Sequence, residues 1–195
     1  MIRSFFITCL LVLSNAVIAA PEKYVFDKGH TNIMWFASHF GFSYSMGQFD
    51  DYEGTVILDE EAPENSSIDV TIKADSVTTG QPEFDDHLRA QDFLDVANHP
   101  TIHFKSLKVV PKGEDAVVHG NLTLLGKTKL VTMNVSKNRI GINPYNKKKT
   151  AGFSGKLKFN RSDWGMNYGT PGISDKVVIR IETELWHEND APASE

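Results

Sequence analysis

The chain has a single cysteine, Cys9, so no intramolecular disulfide can form and no cluster of thiolates can hold zinc. It also lacks an excess of basic residues: 20 lysines and arginines stand against 25 aspartates and glutamates, for a net charge of -5. That balance argues against general nucleic-acid binding, which needs a cationic face for the phosphates. No apolar run reaches the roughly 20 residues that a membrane-spanning helix requires. There is no glycine-rich phosphate loop and no H-E-x-x-H metal motif. Gly152-Phe153-Ser154-Gly155 is one residue short of a nucleophile elbow and lies in a strand pattern, without the strand-to-helix turn that motif needs. What remains is 195 residues, 41% hydrophobic and 23% charged, the balance of one globular domain plus a processed segment. A chain of this length buries roughly 70% of its unfolded surface and needs no staples.

The start of the chain reads as an address. Met1-Ile2-Arg3 is short and positively charged, Phe5 to Leu13 is apolar, and small residues follow from Ala16 to Ala20. This is the layout of a secretory signal peptide. Pro21 would hinder cleavage after Ala20, which favours cleavage after Ala19. The expected organisation is therefore a leader over 1–19 and a single exported domain over 20–195, without stable membrane insertion.

After residue 24 the dominant signal is alternation with a period of two. Ile68, Val70 and Ile72 share one face against Asp69, Thr71 and Lys73, and Val177, Ile179 and Ile181 oppose Arg180 and Glu182. Similar runs near 30–39, 48–59, 101–110, 118–124, 131–136 and 153–159 bring the count to about eight strands. Strands with one apolar face in this number predict an all-β fold, an antiparallel sheet closing around its own core as a barrel or sandwich. One segment departs from the pattern. Pro82 through Val96 starts with proline and acidic residues suited to a first helical turn, and Phe84 and Leu88 are spaced to face the sheet together. It predicts one helix between the third and fourth strands.

An eight-stranded barrel is the size at which side chains either fill the interior or leave room for one ligand. Ile33, Trp35, Ala37 and His39 share a parity, and Phe104, Phe153 and Leu157 would join them inside, with Gly155 leaving space. Alternation alone leaves both readings open. His39 reads either as a core histidine or as a head-group contact, and His87 and Arg89 either as part of a solvated helix face or as donors at a polar rim. No histidine and carboxylate pair has a recognisable ligand spacing, so no metal site is expected.

Several local patterns together resemble the YceI family of bacterial, mostly periplasmic, lipid-binding proteins. They are Tyr24-Val-Phe-Asp27-Lys-Gly-His30 with Phe36-Ala-Ser-His39-Phe-Gly41, then Asp86-His87-Leu88-Arg89-Ala-Gln-Asp92-Phe93-Leu94-Asp95, and then Gly120-Asn-Leu122-Thr123-Leu-Leu-Gly126-Lys127. Arg161-Ser162-Asp163-Trp164-Gly165-Met166 adds a weaker fourth. One departure is Ala90, where the family pattern has serine. The resemblance spans residues 24 to 186 and implies an extended, lipocalin-like antiparallel barrel in the periplasm. Its apolar tunnel would hold a polyisoprenoid, a quinone tail or a related amphiphile. The implied ligand is that lipid or quinone, with no separate cofactor and no catalytic residue.

On this basis the expected role is a carrier for a long-chain isoprenoid lipid. Ile33, Trp35, Phe104, Phe153 and Leu157 would line the tunnel, with Phe42, Phe93 and Trp164 near its ends and His39, His87 and Arg89 at the head group. One alternative is an enzyme acting on an isoprenoid or quinone head group, with His39 or His87 as general acid or base. Another is a ligand-free stress-response interaction module with a filled barrel. Oligomeric state is left open by the sequence, a homodimer included.

Overall fold

The computed structural model describes residues 20–191; the expected leader over 1–19 lies outside them. Eleven strands occur in chain order: β1 (Glu22–Phe26), β2 (Asn32–His39), β3 (Ser43–Phe49), β4 (Tyr52–Leu58), β5 (Ser67–Lys73), β6 (Val77–Thr78), β7 (Thr101–Lys112), β8 (Asp115–Leu124), β9 (Lys127–Ile142), β10 (Lys149–Asn160) and β11 (Ile173–His187). One helix, α1 (Pro82–Arg89), lies between β6 and β7.

The eleven strands build eight staves, because the first three staves are each bent in two. β1 and β2 both pair antiparallel with β11, the former at Phe26↔Leu185 and the latter at Ile33↔Ile181. β1 continues onto β4 and β2 onto β3, while β4 pairs with β5 and β3 with β6. From β5 the sheet runs through β7, β8, β9, β10 and β11 and closes. The result is a closed eight-stranded antiparallel barrel with one helix, one of the two architectures the alternation allows and the one the family resemblance implies.

The three bends form one crease across the wall. They fall at residues 27–31, at Asp50-Asp51 and at the 3-10 turn Ala74–Ser76. Asp50 N donates to the Ser76 carbonyl at 3.2 Å and Lys73 N to the Asp51 carbonyl at 2.9 Å, so backbone groups released by two bends satisfy one another. The Tyr52 hydroxyl donates to the Thr31 carbonyl at 3.0 Å and ties in the third. Strong local alternation on either side hides these breaks in the sequence. The run near 48–59 thus reads as one strand but forms β3 and β4, and Glu22–Phe26 escapes the pattern.

The helix is shorter than the Pro82–Val96 expectation: it ends at Arg89, and Ala90 is already extended at φ -69° and ψ 170°. Residues 90–99 continue as tight turns, with Leu94 N returning to the Leu88 carbonyl and Asp95 at φ 44°. These turns point Phe93 and Leu94 inward, where both are buried. Helical periodicity cannot distinguish that arrangement from two more turns of helix.

Candidate ligand-binding cavity

The inward positions of the staves do not meet in the middle. They enclose a cavity of about 740 Å³ that runs the length of the barrel. Its wall is hydrocarbon: Ile33, Trp35, Phe49, Val70, Phe104, Leu122, Met133, Phe153, Leu157 and Ile179 come from all eight staves.

Glycine is part of the reason the interior stays hollow. A Cβ on Gly47 would come within 2.8 Å of Trp35 Nε1, and one on Gly120 within 2.5 Å of the Phe104 ring. Trp35 and Phe104 therefore press onto bare backbone of the neighbouring strand instead of projecting to the centre. The Trp35 Nε1–H is buried there and has no hydrogen-bond partner among the described residues.

One end of the cavity opens beside α1. Stave three ends at Thr78, and β6 pairs with β3 only at Gln48↔Thr78 and Phe49↔Val77, which leaves β3 unpaired from Ser43 to Gly47 on that side. The helix partly fills the gap, Phe84 meeting Trp35 edge-on at 6.3 Å. Ser43, Ser45, His39, Gln81, His87 and Tyr168 supply the polar rim. His87, Phe93 and Tyr168 form a mutual edge-to-face cluster, with centroids 4.9 to 5.2 Å apart. His87 Nε2 lies 3.6 Å from Asp92 Oδ2.

Two buried charges hold this end in shape. Asp85 accepts from Thr79 N and Thr79 Oγ1, both at 2.6 Å, and from Thr78 Oγ1 at 3.3 Å. Burial works to raise its carboxyl, but these hydrogen bonds outweigh burial and hold it below the usual aspartate range. Arg161, 2% exposed, has five acceptors within 3.1 Å of its guanidinium nitrogens: the carbonyls of Ser174, Met166, Tyr168 and Ile173, and Thr170 Oγ1. Burial away from water lowers its pKa, opposed by the charge of Asp175. Arg161 thereby folds residues 161–174 into the second wall of the mouth.

The sequence-predicted residues separate into two groups. Ile33, Trp35, Phe93, Phe104, Phe153, Leu157, His39 and His87 all line the cavity. Phe42, Trp164 and Arg89 do not. Phe42 is 92% exposed in the β2–β3 turn. Trp164 is buried against Phe159, behind the wall, with Nε1 donating to the Lys127 carbonyl at 2.9 Å. Arg89 binds helix to crease, donating to the Asp75 carbonyl at 2.8 Å and the Val77 carbonyl at 2.9 Å, and pairing with Asp86 at 3.0 Å. Sequence reasoning missed Arg161, Tyr168 and Phe84. Arg161 stands in the fourth motif, but nothing in its neighbours announces a buried guanidinium.

Among the described residues, Asp27, His30 and Glu184 form the one group able to converge on a cation. It lies at the first bend, away from the cavity. Asp27 there accepts from Gly29 N at 3.0 Å and pairs with His30 Nδ1 at 2.8 Å, so its carboxylate already staples the bend.

Residues 24–185 match the family model described as the YceI-like domain. The chain is 33% identical over 180 residues to Protein YceI of Salmonella arizonae and to that of Salmonella paratyphi B, covering 92% of this chain and 94% of theirs. Among solved structures, BcnA of Burkholderia cenocepacia superposes with a TM-score of 0.74 at 24% identity, over 82% of this chain and 98% of that one. A YceI protein of Campylobacter jejuni gives 0.71 at 28% identity, over 77% and 90%. A polyisoprenoid binding domain of Saccharophagus degradans shares the fold at 0.65 and 13% identity, over 86% and 99%. A hollow eight-stave barrel, a helix at its mouth and a family match over residues 24–185 lead to one conclusion: the chain belongs to the YceI family.

Proposed function

We propose that the protein is a periplasmic carrier that shelters a long-chain isoprenoid lipid, a polyprenyl or quinone-type amphiphile. The observation that carries this reading is the apolar cavity of about 740 Å³ along the barrel axis. Burying ten methylene equivalents of a tail there contributes roughly 8 kcal/mol gross before association costs, enough for retention without dedicated polar contacts. The same fold serves as a polyisoprenoid binding domain in the Saccharophagus degradans protein, which supports the ligand class. The rim of His39, Ser43, Ser45, Gln81 and His87 would receive the head group. The periplasmic setting rests on the leader-like residues 1–19 and on family membership. The role is binding and not turnover, in keeping with a wall made of hydrocarbon.

The test is mass spectrometry of an organic extract of the exported protein, alongside the native mass of the intact complex. A stoichiometric prenyl lipid or quinone, released on denaturation, is expected. A bare chain that also takes up no added prenyl lipid would overturn the reading.

A further inference from the structure

We propose that the outer face of β10, β11, β2 and β3, with the β2–β3 tip, is a docking surface for the anionic leaflet of a membrane. A carrier must meet the bilayer that holds its cargo, so the surface deepens the proposed function, but it stands on separate observations. The first is an unpartnered apolar patch. Phe40 is 62% exposed and Phe42 92% at the tip, and Tyr44 and Met46 continue it on the outward side of β3 at 69% and 62%. The tip joins two strands whose inward residues His39, Ser43 and Ser45 line the cavity, so the patch adjoins the mouth.

The second observation is charge. The strand register places Lys158, Val178, Phe36 and Met46 in one row across the four strands, and Lys156, Arg180, Met34 and Gln48 in the next. Lys176 is exposed beside them. The outward face is thus cationic on β10 and β11 and apolar on β2 and β3, and the Arg180 guanidinium sits 5.3 Å over the Phe36 ring at the seam. Lys156, Lys158, Lys176 and Arg180 are in no ion pair among the described residues. The nearby Asp175 is occupied by Ser162 N and Oγ at 2.8 and 2.9 Å, and Glu182 stands one row further from the mouth. In a chain of net charge -5, four free cations beside exposed aromatics are a local inversion. Lysine and arginine beside aromatic side chains is the composition of a surface that lies on anionic head groups, with rings at the acyl boundary. The charge selects a lipid surface over a second copy of this face, which would set cation against cation.

The experiment is co-sedimentation of the full mature chain with vesicles of phosphatidylcholine alone and of equal parts phosphatidylcholine and phosphatidylglycerol. Binding to the mixed vesicles, weakened by salt, is expected. Phe42→Ser, and separately Lys156→Glu with Lys158→Glu and Lys176→Glu, should each reduce it by at least about tenfold. All these positions are exposed, and an unchanged far-ultraviolet spectrum checks that the variants fold. Equal binding to both vesicle types, no binding, or variants that bind like the parent would overturn the proposal. So would a dimer in sedimentation velocity that Phe42→Ser splits, since a second copy would then cover the patch. Isoprenoid content is measured separately: docking by an empty protein would fail the carrier reading alone, and loaded protein that ignores anionic vesicles would fail the docking surface alone.

Discussion

The buried guanidinium of Arg161 donates to the backbone carbonyl of Tyr168 at 2.7 Å, and through that bond a buried residue of the cavity wall sets the position of an aromatic ring at the mouth. Tyr168 in turn meets His87 edge-on at 5.1 Å, so the β10–β11 connection and the helix are fixed relative to each other across the opening. Among the described residues no carboxylate bonds directly to Arg161; its acceptors are backbone carbonyls and one hydroxyl.

Arg161→Met should therefore be costly. It removes the guanidinium donors from four carbonyls, one in a buried bond and three in part-buried ones, and a loss of about 3–5 kcal/mol is expected. For a domain of this size that lowers the melting temperature by roughly 10 °C. Arg161→Lys should recover only part of it, because an ammonium offers three donors in place of a planar fork of five. Denaturant titration decides the matter, and a loss below about 1 kcal/mol would contradict the clamp role.

Filling the cavity should expel the ligand. Gly155 lines it, and a Cβ there would sit 3.4 Å from Met133 Sδ and from Ile181 Cβ, ordinary contact that points a longer side chain into the hollow. Gly155→Leu should keep the fold and lose most of the extractable lipid. Leu157→Glu should do the same by placing a charge in the hydrocarbon wall. The two variants fail for different reasons, so full lipid retention in folded Gly155→Leu would be enough to displace the cavity assignment.

Arg89 should matter for the helix and not for the head group. Arg89→Ala removes donors to the Asp75 and Val77 carbonyls and should cost about 1–2 kcal/mol. Amide exchange should rise over residues 75–94 specifically. If exchange stays flat while lipid affinity drops, Arg89 is a ligand contact after all.

The first bend should respond to pH. The hydrogen bond that His30 donates to the Asp27 carboxylate raises the histidine pKa, with the charges of Asp27 and Glu184 adding to it. Folding therefore favours the imidazolium. The contribution is fully present below the ordinary histidine value near 6.5 and fades as pH rises through the higher native value. The His30 side chain is 66% exposed, so solvent screening limits the effect to a few tenths of a kcal/mol. Nuclear magnetic resonance titration of His30 should show its midpoint fall in Asp27→Asn; an unchanged midpoint would remove Asp27 as the cause.

Much of the architecture is local and was legible in the residues. Period-two alternation along Ile68–Lys73 and Val177–Leu185 determines which side of each strand seeks the core, and eight one-faced strands have few solutions other than closure. The parity of Ile33 and Trp35, and of Phe153 and Leu157, already put them inside. Tertiary structure decided the rest, because it depends on partners distant in sequence. Whether Trp35 and Phe104 fill the barrel or lie back against its wall depends on Gly47 and Gly120 on neighbouring strands. Whether Arg89 faces a ligand or a carbonyl depends on where the third stave ends. Whether Phe42 enters the tunnel or stands outside it depends on the left-handed turn at Phe40-Gly41 and the open edge of β3. Side-chain parity belongs to one strand and is written in its residues; a cavity belongs to the space between strands, and only their packing sets its size.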